Sequence, residues 1–279
     1  MSATRDTDTE TRLITINSTH RSSVGDSTTD FSVDLIDASP ELRDRVIGVS
    51  VETVGFLNVI NNVRYPYNDL RFTLYPFPAA PISYTATVEP GQYTYIEYAA
   101  ALQQAMRDAI NDTTYGPPLV VYSIPPTAGQ PAKVAIRYDS PAPETFIYIP
   151  YDRYSAPFII GMTQDIELSD TTGELAFRPN LAGPLALLLH TRSMAGSRSS
   201  VNGDGSPSET LLTVPVRVPY GQPDNIHLSG DNRPLTIYSA GAHKNLANID
   251  VSLRHLDNTP VNLGSGEMYV TFRVWLSHR

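Results

Sequence analysis

Residues 268–276 read MYVTFRVWL. Met268, Val270, Phe272 and Val274 alternate with Tyr269, Thr271, Arg273 and Trp275. Successive side chains of a strand point to opposite faces, so this stretch predicts a strand with one face in a core and the other outside it. The same texture runs outward along the chain. Residues 31–36 (FSVDLI) set Phe31, Val33 and Leu35 against Ser32 and Asp34. Residues 12–17 (RLITIN) carry Leu13 and Thr15 on one face and Ile14 and Ile16 on the other. Residues 45–60 (RVIGVSVETVGFLNVI) are long and β-branched, which predicts one strand with a bend or bulge near Gly48 or Gly55. Further strands are expected at 70–75, 83–88, 119–124, 133–138, 145–149, 235–239 and 249–255. Residues 185–191 (LALLLHT) predict a strand buried on both faces. Residues 211–218 (LLTVPVRV) predict an edge or bulged strand, because Pro215 cannot donate to a ladder.

One helix stands against about a dozen strands. It is expected over 94–110, where Thr94 and Glu97 form a T-x-x-E capping box and Tyr98, Leu102, Ala105, Met106, Ala109 and Ile110 fall on one face. Before it, the proline-dense 76–81 (PFPAAP) reads as a linker. The chain therefore divides into a mainly β, antiparallel domain over 12–81 and 166–279, and a small α+β unit containing one helix inserted over 82–165. Residues 1–11 are polar throughout and predict a disordered arm with no secretory signal.

Composition excludes whole classes of function. A chain of 279 residues needs no covalent staple, and with no cysteine it has no disulfide, thiolate metal site or cysteine nucleophile. That composition suits assembly in a reducing compartment. Basic residues number 20 against 29 acidic ones, a net charge of −9 that gives no electrostatic footprint for direct nucleic-acid binding. Only two of the basic residues are lysines, Lys133 and Lys244. Arginine suits interfaces, because its guanidinium is planar and weakly hydrated. No apolar run approaches the ~20 residues of a transmembrane segment.

No catalytic, cofactor-binding or metal-binding residue is predicted. The nucleophile-elbow, phosphate-loop, zincin and dinucleotide-binding patterns are all missing from the sequence. His20, His190, His227, His243, His255 and His278 are scattered without ligand spacing and read as loop or rim histidines. Asn202-Gly-Asp204-Gly lacks the alternating acids and distal glutamate of a calcium loop. Asp165, Glu167 and Asp170 could form the paired carboxylates of a glycoside hydrolase, but on an acidic chain they read as solvated surface. The acceptor patterns at Asn17 and Asn111 read as chance, and the two arginines of 192–198 as an exposed linker within a flexible 193–209 loop. Tyr65, Tyr67, Tyr75, Phe77, Tyr84, Tyr93, Tyr95 and Tyr98 crowd the middle of the chain. They fit either a subunit interface or ordinary cross-strand pairing.

The order of several short motifs resembles the penton-type jelly-roll capsid proteins of large eukaryotic double-stranded DNA viruses and their virophage and polinton-like relatives. It begins at Ile14-Thr-Ile-Asn-Ser-Thr-His-Arg21 and Asp30-Phe-Ser-Val-Asp-Leu35, and continues through the 46–59 strand ending in Asn61-Asn62. Pro90-Gly-Gln-Tyr-Thr94, Pro157-Phe-Ile-Ile-Gly161-Met and Arg178-Pro-Asn-Leu181 follow. Asn248-Ile-Asp-Val-Ser-Leu253 and Asp257-Asn-Thr-Pro-Val-Asn-Leu263 close it. Met162 stands where a phenylalanine is usual, and Pro260 where a glycine turn is. The resemblance implies an antiparallel jelly-roll sandwich and a structural, non-enzymatic role in a virion capsid assembled in host cytoplasm or nucleus. The preferred form is a homopentameric penton capsomer at icosahedral fivefold vertices, with neighbouring major and minor capsid proteins as partners. The alternatives are another minor or cement capsid protein, and a carbohydrate-binding jelly-roll module using the tyrosines or Trp275. A sugar-active enzyme using Asp165 or Glu167 is a third.

Overall fold

The computed structural model describes residues 9–22, 27–35, 46–76, 78–110, 119–139, 145–169, 174–191, 210–228, 235–237 and 248–277. The chain forms two compact units, the first of residues 1–60 and 184–279 and the second of 61–183.

The first unit is built on the strand that the alternation singles out. Its strands are β1 (Thr9–Asn17), β2 (Asp30–Asp34) and β3 (Val46–Leu57), followed after the second unit by β11 (Ala186–His190), β12 (Thr210–Pro215), β13 (Pro223–His227), β14 (Leu235–Ile237), β15 (Asn248–His255) and β16 (Met268–Ser277). One sheet has the order β1-β16-β3-β13, with β14 also on β3, and the other the order β12-β11-β15-β2. All pairings are antiparallel. Leaving aside the three-residue β14, the strands taken in chain order run one-eight-three-six in the first sheet and five-four-seven-two in the second. That order is the jelly roll, two Greek keys folded into a sandwich. Met268, Val270, Phe272, Val274 and Leu276 of β16 are fully buried against Leu187 and Leu189 of β11 and Ile249, Val251 and Leu253 of β15 within one core.

Details follow from the residues. β3 stays one strand, with bulges at Ile47, beside Gly48, and at Glu52, where its pairing with β16 skips a residue. Gly55 has no bulge. It is the place where the Tyr269 ring crosses β3, and a Cβ there would stand 2.3 Å from the ring. β12 is an edge strand that ends at Pro215, as expected. β11 is not buried on both faces: Leu187 and Leu189 are buried, whereas Ala186, Leu188 and His190 are half-buried, because the sandwich covers only one side of each sheet. β13 (PDNIH) escapes sequence reading because a buried acid, Asp224, occupies a core-facing position. Its carboxylate accepts from the Arg217 backbone N–H at 2.8 Å and from Arg217 Nη2 at 2.9 Å, so its burial is satisfied. The arm expected over 1–11 lies outside the described residues up to position 8. Residues 9–11 belong to β1, where pairing with Trp275–Ser277 holds them. The 193–209 loop also lies outside the described residues.

The second unit contains β4 (Asp69–Tyr75), β5 (Ile82–Thr87), α1 (Tyr95–Ile110), β6 (Leu119–Ile124), β7 (Lys133–Tyr138), β8 (Phe146–Ile149), α2 (Ala156–Ile160), β9 (Ile166–Ser169) and β10 (Glu174–Phe177). Its sheets are β5-β4-β8-β9 and β10-β7-β6. The unit is wider than the 82–165 read from the sequence, because β4 pairs with β5 and β8, and β10 pairs with β7. The 76–81 segment is therefore the loop of the β4–β5 hairpin and does not link domains. Among the described residues two α-helices are present where one was expected. α2 is five residues long, with Ser155 as N-cap, Pro157 in its first turn and Gly161 closing it at φ 91. The capping box of α1 forms as expected: the Glu97 N–H donates to Thr94 Oγ1 at 3.3 Å and the Thr94 N–H to Glu97 Oε2 at 2.9 Å. Tyr98, Ala99, Leu102, Met106 and Ile110 of α1 are buried in this unit's own core.

Asn62, buried, fastens the unit where the chain enters and leaves it. Its Nδ2 donates to the carbonyls of Tyr93 at 2.8 Å and Leu181 at 3.0 Å, and its Oδ1 accepts from the Tyr93 N–H at 2.9 Å. Replacing it leaves several buried backbone groups unpaired, so Asn62→Ala is expected to lower stability in urea denaturation by about 2–3 kcal/mol. Tyr98 is the converse case. Its ring is fully buried, its hydroxyl has no hydrogen-bond partner among the described residues, and burial pushes its ionisation far up. Tyr98→Phe removes that unpaired hydroxyl and is expected to raise stability by about 1 kcal/mol in the same assay.

Candidate interaction surfaces

Of the acids at 165–170, Asp165 is a turn lock. Asp165 directly precedes β9, and its Oδ1 accepts the Tyr151 N–H at 2.8 Å while Oδ2 accepts the Tyr148 hydroxyl. These hydrogen bonds hold the Asp165 carboxyl below the usual aspartate range, the Tyr148 bond contributing most, and the same bond raises Tyr148. A general acid of glycoside hydrolysis needs the opposite shift. Glu167 is exposed on β9, opposite Tyr148 in the register of β8 and β9. Asp170 lies outside the described residues.

The histidines are dispersed. His190 Nε2 lies 3.1 Å from Thr210 Oγ1, and His227 Nδ1 lies 3.0 Å from Thr53 Oγ1. His20 is exposed in the short 3-10 turn after β1, and His255 is buried at the end of β15. Among the described residues no three acids or histidines converge as metal ligands. His243, His278, the Asn202–Asp204 segment, the 192–198 arginines and the acceptor pattern at Asn111 lie outside the described residues. Asn17 caps the turn after β1, its side chain accepting the Thr19 N–H at 2.9 Å.

The aromatic residues divide between two roles. Phe72 stacks on Tyr84 at 5.5 Å and Tyr75 on Phe146 at 4.4 Å, each pair directly opposite in register. Tyr93 meets the buried Tyr98 edge-on at 6.3 Å. These are cross-strand and core contacts. Others face outward: Tyr65 is 73 % exposed, Tyr154 48 % and Phe158 39 %. Phe158 projects from α2 while its neighbours Ile159 and Ile160 are buried. The Tyr67 ring lies 5.6 Å from that of Phe158, and the Arg64 guanidinium sits 4.7 Å above Tyr67. The Arg153 guanidinium lies 4.5 Å from the Tyr154 ring. Sequence reading named Tyr65 and Tyr67 but missed Tyr154, Phe158 and the two arginines. The signal for Phe158 was the Ser-Ala-Pro…Gly bracket around 155–161, which marks a short helix and so fixes which residue points out.

The fold places this chain among eight-stranded jelly rolls carrying a folded α+β unit between the third and fourth strands; viral capsid, lectin and cupin domains share the jelly-roll architecture. No protein-family model matches the chain, and no curated protein does. Among solved structures it is similar to the crystal structure of selenomethionine-labelled mavirus penton protein, at 12 % identity, covering 96 % of this chain and 100 % of that one, with a TM-score of 0.48.

The Tyr148–Asp165 lock has a measurable consequence. A carboxyl held low stabilises its turn at neutral pH, and that contribution disappears as pH falls through the lowered midpoint. Carbon-13 titration of Asp165 is expected to give a midpoint below 3.8, returning toward it in Tyr148→Phe.

Proposed function

We propose that this chain is a structural capsid protein, and more specifically the homopentameric penton capsomer at icosahedral fivefold vertices. The observation that carries this reading is where the motifs of the sequence resemblance fall, on strands of the jelly roll and on the two helices of the second unit. Asp30–Leu35 covers β2, 46–59 covers β3 and Asn248–Leu253 opens β15. Pro90–Thr94 leads into the capping box of α1, and Pro157–Met162 forms α2 and its cap. A shell subunit needs a rigid core and outward surfaces, and the exposed Tyr–Arg–Phe cluster is interface chemistry. On this reading the protein resides in the virion and contacts major and minor capsid proteins.

A second reading is favoured by the same exposed cluster. Tyr67, with Arg64 over it and the exposed Phe158 beside it, and the exposed Tyr154 under Arg153 could hold sugar rings, which would make the second unit a glycan-binding module. Native mass spectrometry is expected to give five times the 30.6 kDa chain mass, and electron microscopy of particles to place the chain at fivefold vertices. A particle whose vertices hold another protein sinks the penton assignment. Glycan-array binding that disappears in Phe158→Ser would establish the second reading instead.

A further inference from the structure

On the outward face of the β1-β16-β3-β13 sheet, four pairs of polar side chains join one strand to another. Thr15 Oγ1 lies 2.9 Å from Thr271 Oγ1, joining β1 to β16. Arg273 Nε lies 2.6 Å from Glu52 Oε1, joining β16 to β3. Thr53 Oγ1 lies 3.0 Å from His227 Nδ1, joining β3 to β13. The Tyr269 hydroxyl donates to Asn225 Oδ1 at 3.0 Å, so its side chain spans β3 at Gly55. The bulge at Glu52 is what makes the third and fourth strands contribute here. Val51 and Val54 are buried, and the extra residue lets Glu52 and Thr53 both turn outward.

Such a face loses little on leaving water. Its Arg273–Glu52 ion pair is neutral, and hydrogen bonds already made need no new partner. Among the described residues its solvent-facing apolar side chains are Leu13, 62 % exposed, and the half-buried Trp275, which stand beside the exposed polar Thr11, Thr15, Asn225 and His227. The outward face of the other sheet differs. It carries Asp30, Asp34 and Asp250 against Arg254, which stands 3.8 Å from Asp30. Charge selects between the two faces. Copies of a chain with net charge −9 repel one another, and they approach at least cost through a surface that bears no net charge. Size fits as well. β16 has ten residues, about 33 Å, and four strands span about 19 Å, giving roughly 600 Å² of sheet against the ~800 Å² per partner of a standard interface.

We propose that this sheet face, centred on Leu13 and Trp275, is the surface through which one copy of the chain packs on another. The inference rests on the oligomer reading above. In a closed ring the contact is heterologous, so this face meets a different surface of the next copy.

Native mass spectrometry and analytical ultracentrifugation of the full chain test it, with Leu13→Asp and Thr15→Lys as variants. Both residues are exposed, so circular dichroism and the thermal midpoint are expected to stay unchanged. The expected result is an oligomeric wild type, and variants that sediment at 30.6 kDa or dissociate at least a hundredfold more readily. If Leu13→Asp loses its circular dichroism signal, Thr15→Lys decides. Folded variants that keep the wild-type mass and dissociation constant overturn this face while leaving the oligomer intact. A wild type that is monomeric at all concentrations overturns the oligomer reading and this inference together.

Discussion

The pairing of β16 with β1 on one side and β3 on the other is the interaction on which the first unit depends. It joins the last described strand to the first and third, so the sheet closes only when residues more than 200 positions apart meet. The stripe from Met268 to Leu276 is fully buried along its length. A shift of one residue would turn that stripe outward and put Tyr269, Thr271, Arg273 and Trp275 into the core. Register is thereby specified strongly, and the bulges at Ile47 and Glu52 absorb the mismatch of the longer β3 without breaking it.

The second unit shows how a domain is carried between two strands of another. It has its own core around Phe72, Tyr98, Leu102 and Ile136, and the Asn62 amide holds together the segments where the chain enters and leaves. Loop closure grows only slowly with length, so an inserted segment that folds on itself costs the host sandwich little. Residues that suggested catalysis or metal binding are committed to structure in both units. Asp165 is occupied by Tyr148 and the Tyr151 backbone, and His227 by Thr53.

Interaction surfaces were the least legible part of the sequence. The tyrosines were conspicuous, but position along the chain did not say which would face inward. Tyr75 and Tyr84 found aromatic partners across a strand pair, whereas Tyr65 did not, and nothing in local periodicity separates the two outcomes. Phe158 was hidden by the brevity of its helix, and β13 by the polarity of a strand whose buried acid is neutralised through Arg217. The inserted unit was drawn too small because β4 looks, in sequence, like any other strand of the sandwich. Only its partners β5 and β8 assign it elsewhere.

Local pattern determined by itself that this chain is mainly β, where most strands run, that α1 begins in a capping box, and which face of β16 is buried. Those properties depend on neighbours a few residues away, through side-chain alternation and hydrogen bonds within one turn. The order of strands in the two sheets, the limits of the inserted unit and the mutual pairing of polar groups on the outer face were decided by tertiary structure alone. Each is set by partners distant in sequence, and the free energy of a long-range pair is written in no single segment of the chain.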